Sequence, residues 1–147
     1  MAVRLTIIVP GEPIAQPRVK ATAFGGRARV YTPTKNGIAD YKATIRKIAS
    51  ESFAGPLLDC PLVVDCEFVF SRPKRLVWKK RPMPREPMTS KRDRDNLDKA
   101  VLDALTNVIL TDDKLVYDGR IQKWYAEGDE LPHTKITIEW NETPEVR

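Results

Sequence analysis

From Leu62 to Phe70 every second residue is apolar, namely Leu62, Val64, Cys66, Phe68 and Phe70, with Asp65 and Glu67 between them. Successive side chains of an extended chain point to opposite faces, so this alternation demands a strand with one face in a core. That face must be covered, and two stretches offer the cover. Ile38, Tyr41, Ile45, Ile48 and Ala49 recur at helical steps, with Lys42, Arg46 and Lys47 on the other faces, until Gly55-Pro56 stops the pattern. Leu97, Ala100, Val101, Ala104, Leu105 and Val108 make a second stripe, with Asp95 placed as its N-cap and Thr111-Asp112-Asp113 breaking it.

Other strands follow the same rule. Val3, Leu5, Ile7 and Val9 alternate up to Pro10-Gly11, and Arg27 to Tyr31 alternates after a basic stretch rich in proline and glycine, which reads as a basic loop or hairpin. Leu115 to Tyr117 and Arg120 to Tyr125 flank Asp118-Gly119, and Ile136, Ile138 and Trp140 alternate near the end, so the closing strands are expected to form a hairpin. Strands and helices mix without a clean βαβ repeat. The expectation is an α+β fold, a mixed β-sheet packed with two main helices, in one domain over the 147 residues.

Charge is distributed unevenly. The chain carries a net +5, yet residues 71–94 alone hold ten Lys or Arg against Glu86 and Asp93, a local +8. A concentrated positive field favours a polyanion, with nucleic acid ahead of an anionic membrane. Leu5 to Pro10 is far shorter than the roughly 18 apolar residues that span a bilayer, and no cleavable signal pattern follows it, so a cytoplasmic protein with no membrane partner is expected. Cys60 and Cys66 match no metal half-site and are expected as free packed thiols.

The segment Lys91-Arg92-Asp93-Arg94-Asp95-Asn96-Leu97-Asp98-Lys99 joins cations to carboxylates at the start of a helix. If the approaching chain is extended, Asp93 and Asp95 point to one side, where crowded carboxylates repel unless a hard divalent cation is shared between them. A divalent ion, Mg²⁺ or Mn²⁺, is the natural occupant. Lys99, one helical turn beyond Asp95, brings an ammonium close to whatever the ion holds, and a phosphodiester suits both. Asp113 supplies a third carboxylate if the chain after the helix returns along the sheet, and Asp112 is a weaker candidate. The structural alternative is that Asp93 and Asp95 cap the helix, Lys99 pairs within it, and Asp112-Asp113 serve a turn. An EF-hand is excluded, because its required glycine falls at Asp98 and its closing acid at Ala104.

These residues resemble the RusA family of Holliday-junction resolvases, whose signature is D-x-D-N-x-x-K on a helix followed by a paired acid. Asp93 to Leu105 follows the pattern, Asp112-Asp113 stands where the acidic pair belongs, and the opening strand, Pro17-Arg18 and Val30-Tyr31-Thr32-Pro33 are similar to phage-type members. The resemblance covers about residues 5–140, with its specificity in residues 92–113. It implies a homodimeric, Mg²⁺-dependent endonuclease that makes paired nicks in four-way DNA junctions. Asp93, Asp95 and Asp113 become metal ligands and Lys99 the transition-state cation. Leu115 stands where a polar residue occurs in the family, which leaves the choice between Asp112 and Asp113 open.

The basic tract then becomes a DNA track through Lys79, Lys80, Arg81, Lys91, Arg92 and Arg94, with Arg18, Lys20, Arg27 and Arg29 as a second arm making phosphate contacts. Trp78 is expected to pack locally rather than stack on a base, and His133 to serve at the surface rather than in catalysis. Two other readings remain at this point: a non-catalytic DNA-binding protein using the same basic surface, and a metal-dependent nuclease or phosphatase acting on other substrates.

Overall fold

A computed structural model describes residues 2–17, 20–24, 27–31, 37–77, 83–90 and 92–142, with the backbone alone over residues 20–24 and 27–31. In chain order the elements are β1 (Ala2–Pro10), β2 (Lys20–Phe24), β3 (Arg27–Tyr31), α1 (Ile38–Ser52), β4 (Leu62–Phe70), β5 (Glu86–Pro87), α2 (Arg94–Leu105), β6 (Val116–Asp118), β7 (Ile121–Tyr125) and β8 (His133–Asn141). The strands β2 and β3 pair antiparallel as the hairpin that the basic stretch suggested. The others form one mixed sheet ordered β1-β8-β4-β7-β5, with β6 also on β4. This is the expected α+β arrangement, with two helices on the sheet.

The alternation of β4 decides the layering. Leu62, Val64, Cys66, Phe68 and Phe70 are buried with Ile7 and Val9 of β1 and Ile136 and Ile138 of β8. Onto this face pack Ile38, Tyr41, Ile45 and Ala49 of α1 and Leu97, Ala100, Val101, Ala104 and Leu105 of α2. Phe53 and Thr106, both extended, terminate the two helices. A Lys42 to Asp103 ion pair at 3.5 Å joins the helices, a contact worth at most about 1 kcal/mol. Inside the core the Tyr41 hydroxyl meets Thr134 Oγ1 at 2.6 Å, so neither polar group is left unsatisfied.

Three expectations are corrected. The closing strands are not a hairpin: β8 runs antiparallel to β4 on one side, while β7 runs parallel to β4 on the other, Cys66 opposite Ile121. Parallel strands need a crossover, and α2 provides it, returning the chain to the start of β4, where Val116 pairs with Leu62. The pair β4 and β7 with α2 is thus a βαβ unit, invisible in alternation alone. The N-cap of α2 is Asp93 rather than Asp95, which lies in the first helical turn. The cationic stretch before it contains β5, two residues that pair with β7. Among the described residues no helix is long and apolar enough to cross a membrane.

The step from β6 to β7 depends on Gly119. Its φ is +149°, and a Cβ there would lie 1.8 Å from the Val64 carbonyl oxygen. The Arg120 amide donates to Asp65 Oδ1 (2.7 Å) and its carbonyl accepts from the Cys66 amide (2.8 Å), so the turn is fastened to β4 on both sides. Gly119→Ala forces the strands apart as well as straining the backbone. It should destabilise by at least about 3 kcal/mol, lowering Tm by roughly 10 °C in a thermal melt. A shift below about 2 °C would show that the turn relaxes freely.

Candidate active site at the mouth of helix α2

Several contacts bring the cationic stretch back to the start of α2. The buried Arg72 guanidinium donates to the carbonyls of Ala126 (2.7 Å), Leu76 (3.0 Å) and Pro84. Arg85 bridges Glu67 of β4 and Glu130, donating from Nε to Glu130 Oε1 at 3.0 Å. Next, the Met88 amide donates to the Lys123 carbonyl (3.1 Å) and the Arg92 amide to the Ser90 carbonyl (2.6 Å). The Arg92 guanidinium lies 5.4 Å from the centre of the Phe70 ring, a cation–π contact. From the other side the Gln16 amide donates to the Asn96 carbonyl (2.8 Å), tying the segment after β1 to the first turn of α2.

At this mouth stand the acids. Asp93, Arg94, Asp95 and Lys99 are exposed, and the Asp93 carboxylate makes no side-chain cap bond to the helix amides. Asp95 being helical, the extended-chain reason for its alignment with Asp93 does not hold. Its neighbour on the same side is instead Asp98, one turn inward. Asp98 is half-buried over β4, where the Cys66 thiol donates to its Oδ1 at 3.8 Å. Burial pushes the Asp98 carboxyl above its ordinary range; the thiol and Arg94 pull it back, and Asp113 and Asp95 push it up again. Asp98 therefore feels two other carboxylates, one of them delivered from beyond the helix.

Asp113 arrives through the 3₁₀ turn Asp113–Leu115, which leads into β6. Asp112 precedes that turn and its Oδ1 accepts from the Lys114 amide at 2.9 Å, which holds its carboxyl below the usual carboxylate range. The two differ in their surroundings: Asp112 closes the turn and has Asp113 as a side-chain partner, while Asp113 also lies within electrostatic reach of Asp98. Two site residues escaped the sequence reading. Asp98 sat unassigned inside the motif, although its spacing from Asp95 was visible. Lys123 donates from Nζ to the Arg92 carbonyl at 2.6 Å, and its only sequence signal was a charge sharing a strand face with Ile121 and Tyr125.

Of the expected DNA contacts, Arg92 and Arg94 are exposed at the mouth of α2. Lys20, Arg27 and Arg29 lie on the β2–β3 hairpin, whose backbone alone is described. Arg18, Trp78, Lys79, Lys80, Arg81 and Lys91 fall outside the described residues. Cys60 and Cys66 are free thiols, and burial beside Asp98 and Asp65 pushes the Cys66 thiol well up, keeping it a protonated donor. His133 Nδ1 pairs with the Leu131 carbonyl at 2.9 Å, at the start of β8.

Among the described residues no three Asp, Glu, His or Cys side chains stand close enough together to hold a metal ion as they are. The donor set nevertheless suits a hard cation. Asp93, Asp95 and Asp113 are exposed carboxylates, hard oxygen donors, and two of them, Asp95 and Asp113, act on the half-buried Asp98. Cavities of about 610 Å³ beside Met83 and Gly128 and of about 630 Å³ beside Leu115 and Tyr117 lie apart from this cluster. The acids face open surface, which admits a polymer as readily as a small ester.

Comparison with known proteins adds to this geometry. A Bacillus subtilis (strain 168) protein, "Uncharacterized protein YqaN", is 29% identical over 135 residues, covering 88% of this chain and 92% of its own length. Residues 10–139 match the family model described as "Endodeoxyribonuclease RusA". That span takes in the acids, the α2 crossover and the returning strands, and the chain belongs to the RusA endodeoxyribonuclease family.

Proposed function

We propose that this chain is a metal-dependent endodeoxyribonuclease that resolves four-way DNA junctions by paired symmetric nicks, acting as a homodimer in the cytoplasm. The observation that carries the reading is that Asp95 and Asp113, from two sides of the α2 crossover, each lie within electrostatic reach of Asp98. Carboxylates so arranged disfavour one another unless a cation is shared. Asp93, Asp95 and Asp113 would hold Mg²⁺ or Mn²⁺, with Asp98 behind them and Asp112 a lesser contributor because its Oδ1 is engaged by the Lys114 amide. When bound, the ion supplies the Lewis acidity and concentrated positive charge that phosphodiester hydrolysis requires.

The protein's own groups do the rest. Lys99, one turn beyond Asp95, presents an ammonium to the non-bridging oxygens or the departing 3′ oxygen as charge develops there. Arg92 and Arg94 flank Asp93 and draw the backbone phosphates to the acids. The tract around Lys79, Lys80, Arg81 and Lys91, with Arg18, Lys20, Arg27 and Arg29, extends that track along the arms. A junction with two equivalent strands needs two sites related by a two-fold axis, which is the reason for the homodimer.

Four measurements test this reading. With Mg²⁺, the wild-type protein should cleave a four-way junction in preference to duplex, single strand or a small phosphate ester. Asp95→Asn should keep junction affinity while cleavage falls on the order of 10²- to 10³-fold. Retained cleavage would leave a DNA-binding protein whose acids serve only the fold. Lys99→Ala should lower single-turnover rate much more than affinity, as a group acting on the transition state does. In the metal-free protein, a carboxyl raised by folding costs stability once pH exceeds its folded value, and the cost disappears below its unfolded value. Asp98→Asn should therefore raise Tm in EDTA at pH 8, and the gain should vanish as the pH approaches 3.8. A Tm lowered equally at both pH values would mark Asp98 as a packing residue.

A further inference from the structure

On the face of the sheet that the helices cover, the side chains of β1, β4, β7 and β8 are apolar or carry a hydroxyl or thiol, with one exception among the described residues. Lys123 pairs with the fully buried Phe68, and two residues earlier Ile121 pairs with Cys66, the partner of Asp98. Two strand residues advance about 6.7 Å, and α2 lies along this line. Asp98 stands over Cys66, and the Arg92 carbonyl reaches Lys123 Nζ at 2.6 Å. A full charge thus stands, partly exposed, on an otherwise uncharged face, directly under the peptide that leads into Asp93.

At this partly exposed position the Arg92 carbonyl is the protein group the ammonium reaches. One carbonyl accepts one of its three protons and brings no negative charge. What the ammonium contributes is therefore the direction it gives the main chain. Its hydrogen bond also fixes the carbonyl immediately before Asp93, and with it the direction from which the chain enters the helix. Arg92 is held again by its own amide on Ser90 and its guanidinium over Phe70, so the lead-in has one geometry.

We propose that Lys123 is a positioning residue of the acid site, fixing the Arg92–Asp93 peptide so that Asp93 and Asp95 are presented to a divalent ion together with Asp113. This rests on the active-site reading above. Lys123 does not touch the substrate; it acts through the main chain.

The test compares Lys123→Met, which keeps the aliphatic stem, with Lys123→Arg, which keeps charge and donor, and Lys123→Gln in case the methionine variant packs poorly. Mn²⁺ binding is measured by calorimetry without DNA, junction affinity in EDTA, and single-turnover cleavage against Mg²⁺ concentration. The Met and Gln variants should lose about 10- to 100-fold in Mn²⁺ affinity, with half-saturating Mg²⁺ rising in parallel, while junction affinity stays within about twofold and Arg restores most of the loss. Unchanged Mn²⁺ affinity in the Met and Gln variants, or an Arg variant as impaired as they are, overturns the proposal alone. Wild-type protein that takes up no Mn²⁺ and cleaves no junction overturns the active-site reading, and this inference with it.

Discussion

Parallel pairing of β4 with β6 and β7 requires the chain to run back across the sheet before it can rejoin it, and α2 is that return. The site follows from this constraint. A crossover helix must begin near the end of the strand it leaves and finish near that strand's start, so its first turn, with Asp93 and Asp95, lies over the Phe68–Phe70 end of β4. The chain that emerges must turn once more to enter β6, and Asp113 stands at that turn. Acids that flank the helix in sequence, Asp95 in its first turn and Asp113 after its end, are thus both left within electrostatic reach of Asp98 between them.

The same crossover explains why the site is charged at the edge of an apolar layer. The small residues Ala100 and Ala104 let α2 lie close to the sheet, and its exposed side carries Asp95 and Lys99. Asp98 falls on the boundary between the two, half in the core and half in the site. The Cys66 thiol beneath it is the kind of partner such a boundary tolerates: a weak donor, small, and kept protonated by burial. Stability is given up locally, in the form of neighbouring carboxylates, at the place where a cation would recover it.

Gly119 shows how little latitude the arrangement has. Two short parallel strands, β6 and β7, share one partner, and the break between them presses against the Val64 carbonyl. A side chain there would separate β7 from β4 and carry Lys123 away from Arg92, so the fold and the site share this turn.

Both helices, the alternation of β4, the strands β1 and β8, and the D-x-D-N-x-x-K acids were determined by the amino-acid sequence alone, because periodicity and motif spacing are local properties of a chain. Local patterns do not state which strand lies beside which, and so a hairpin of the closing strands looked as reasonable as the parallel pair that forms. The cap of α2 was misplaced by two residues for a related reason: Asp93 and Asp95 are equally good capping types, and only the approach of the chain from β5 and Ser90 chooses between them. Tertiary structure alone decided that Asp113 comes within electrostatic reach of Asp98 and that Lys123 reaches the carbonyl before Asp93. Each of those facts is a distance between segments far apart in sequence, set by strand order and register, which no run of neighbouring residues encodes.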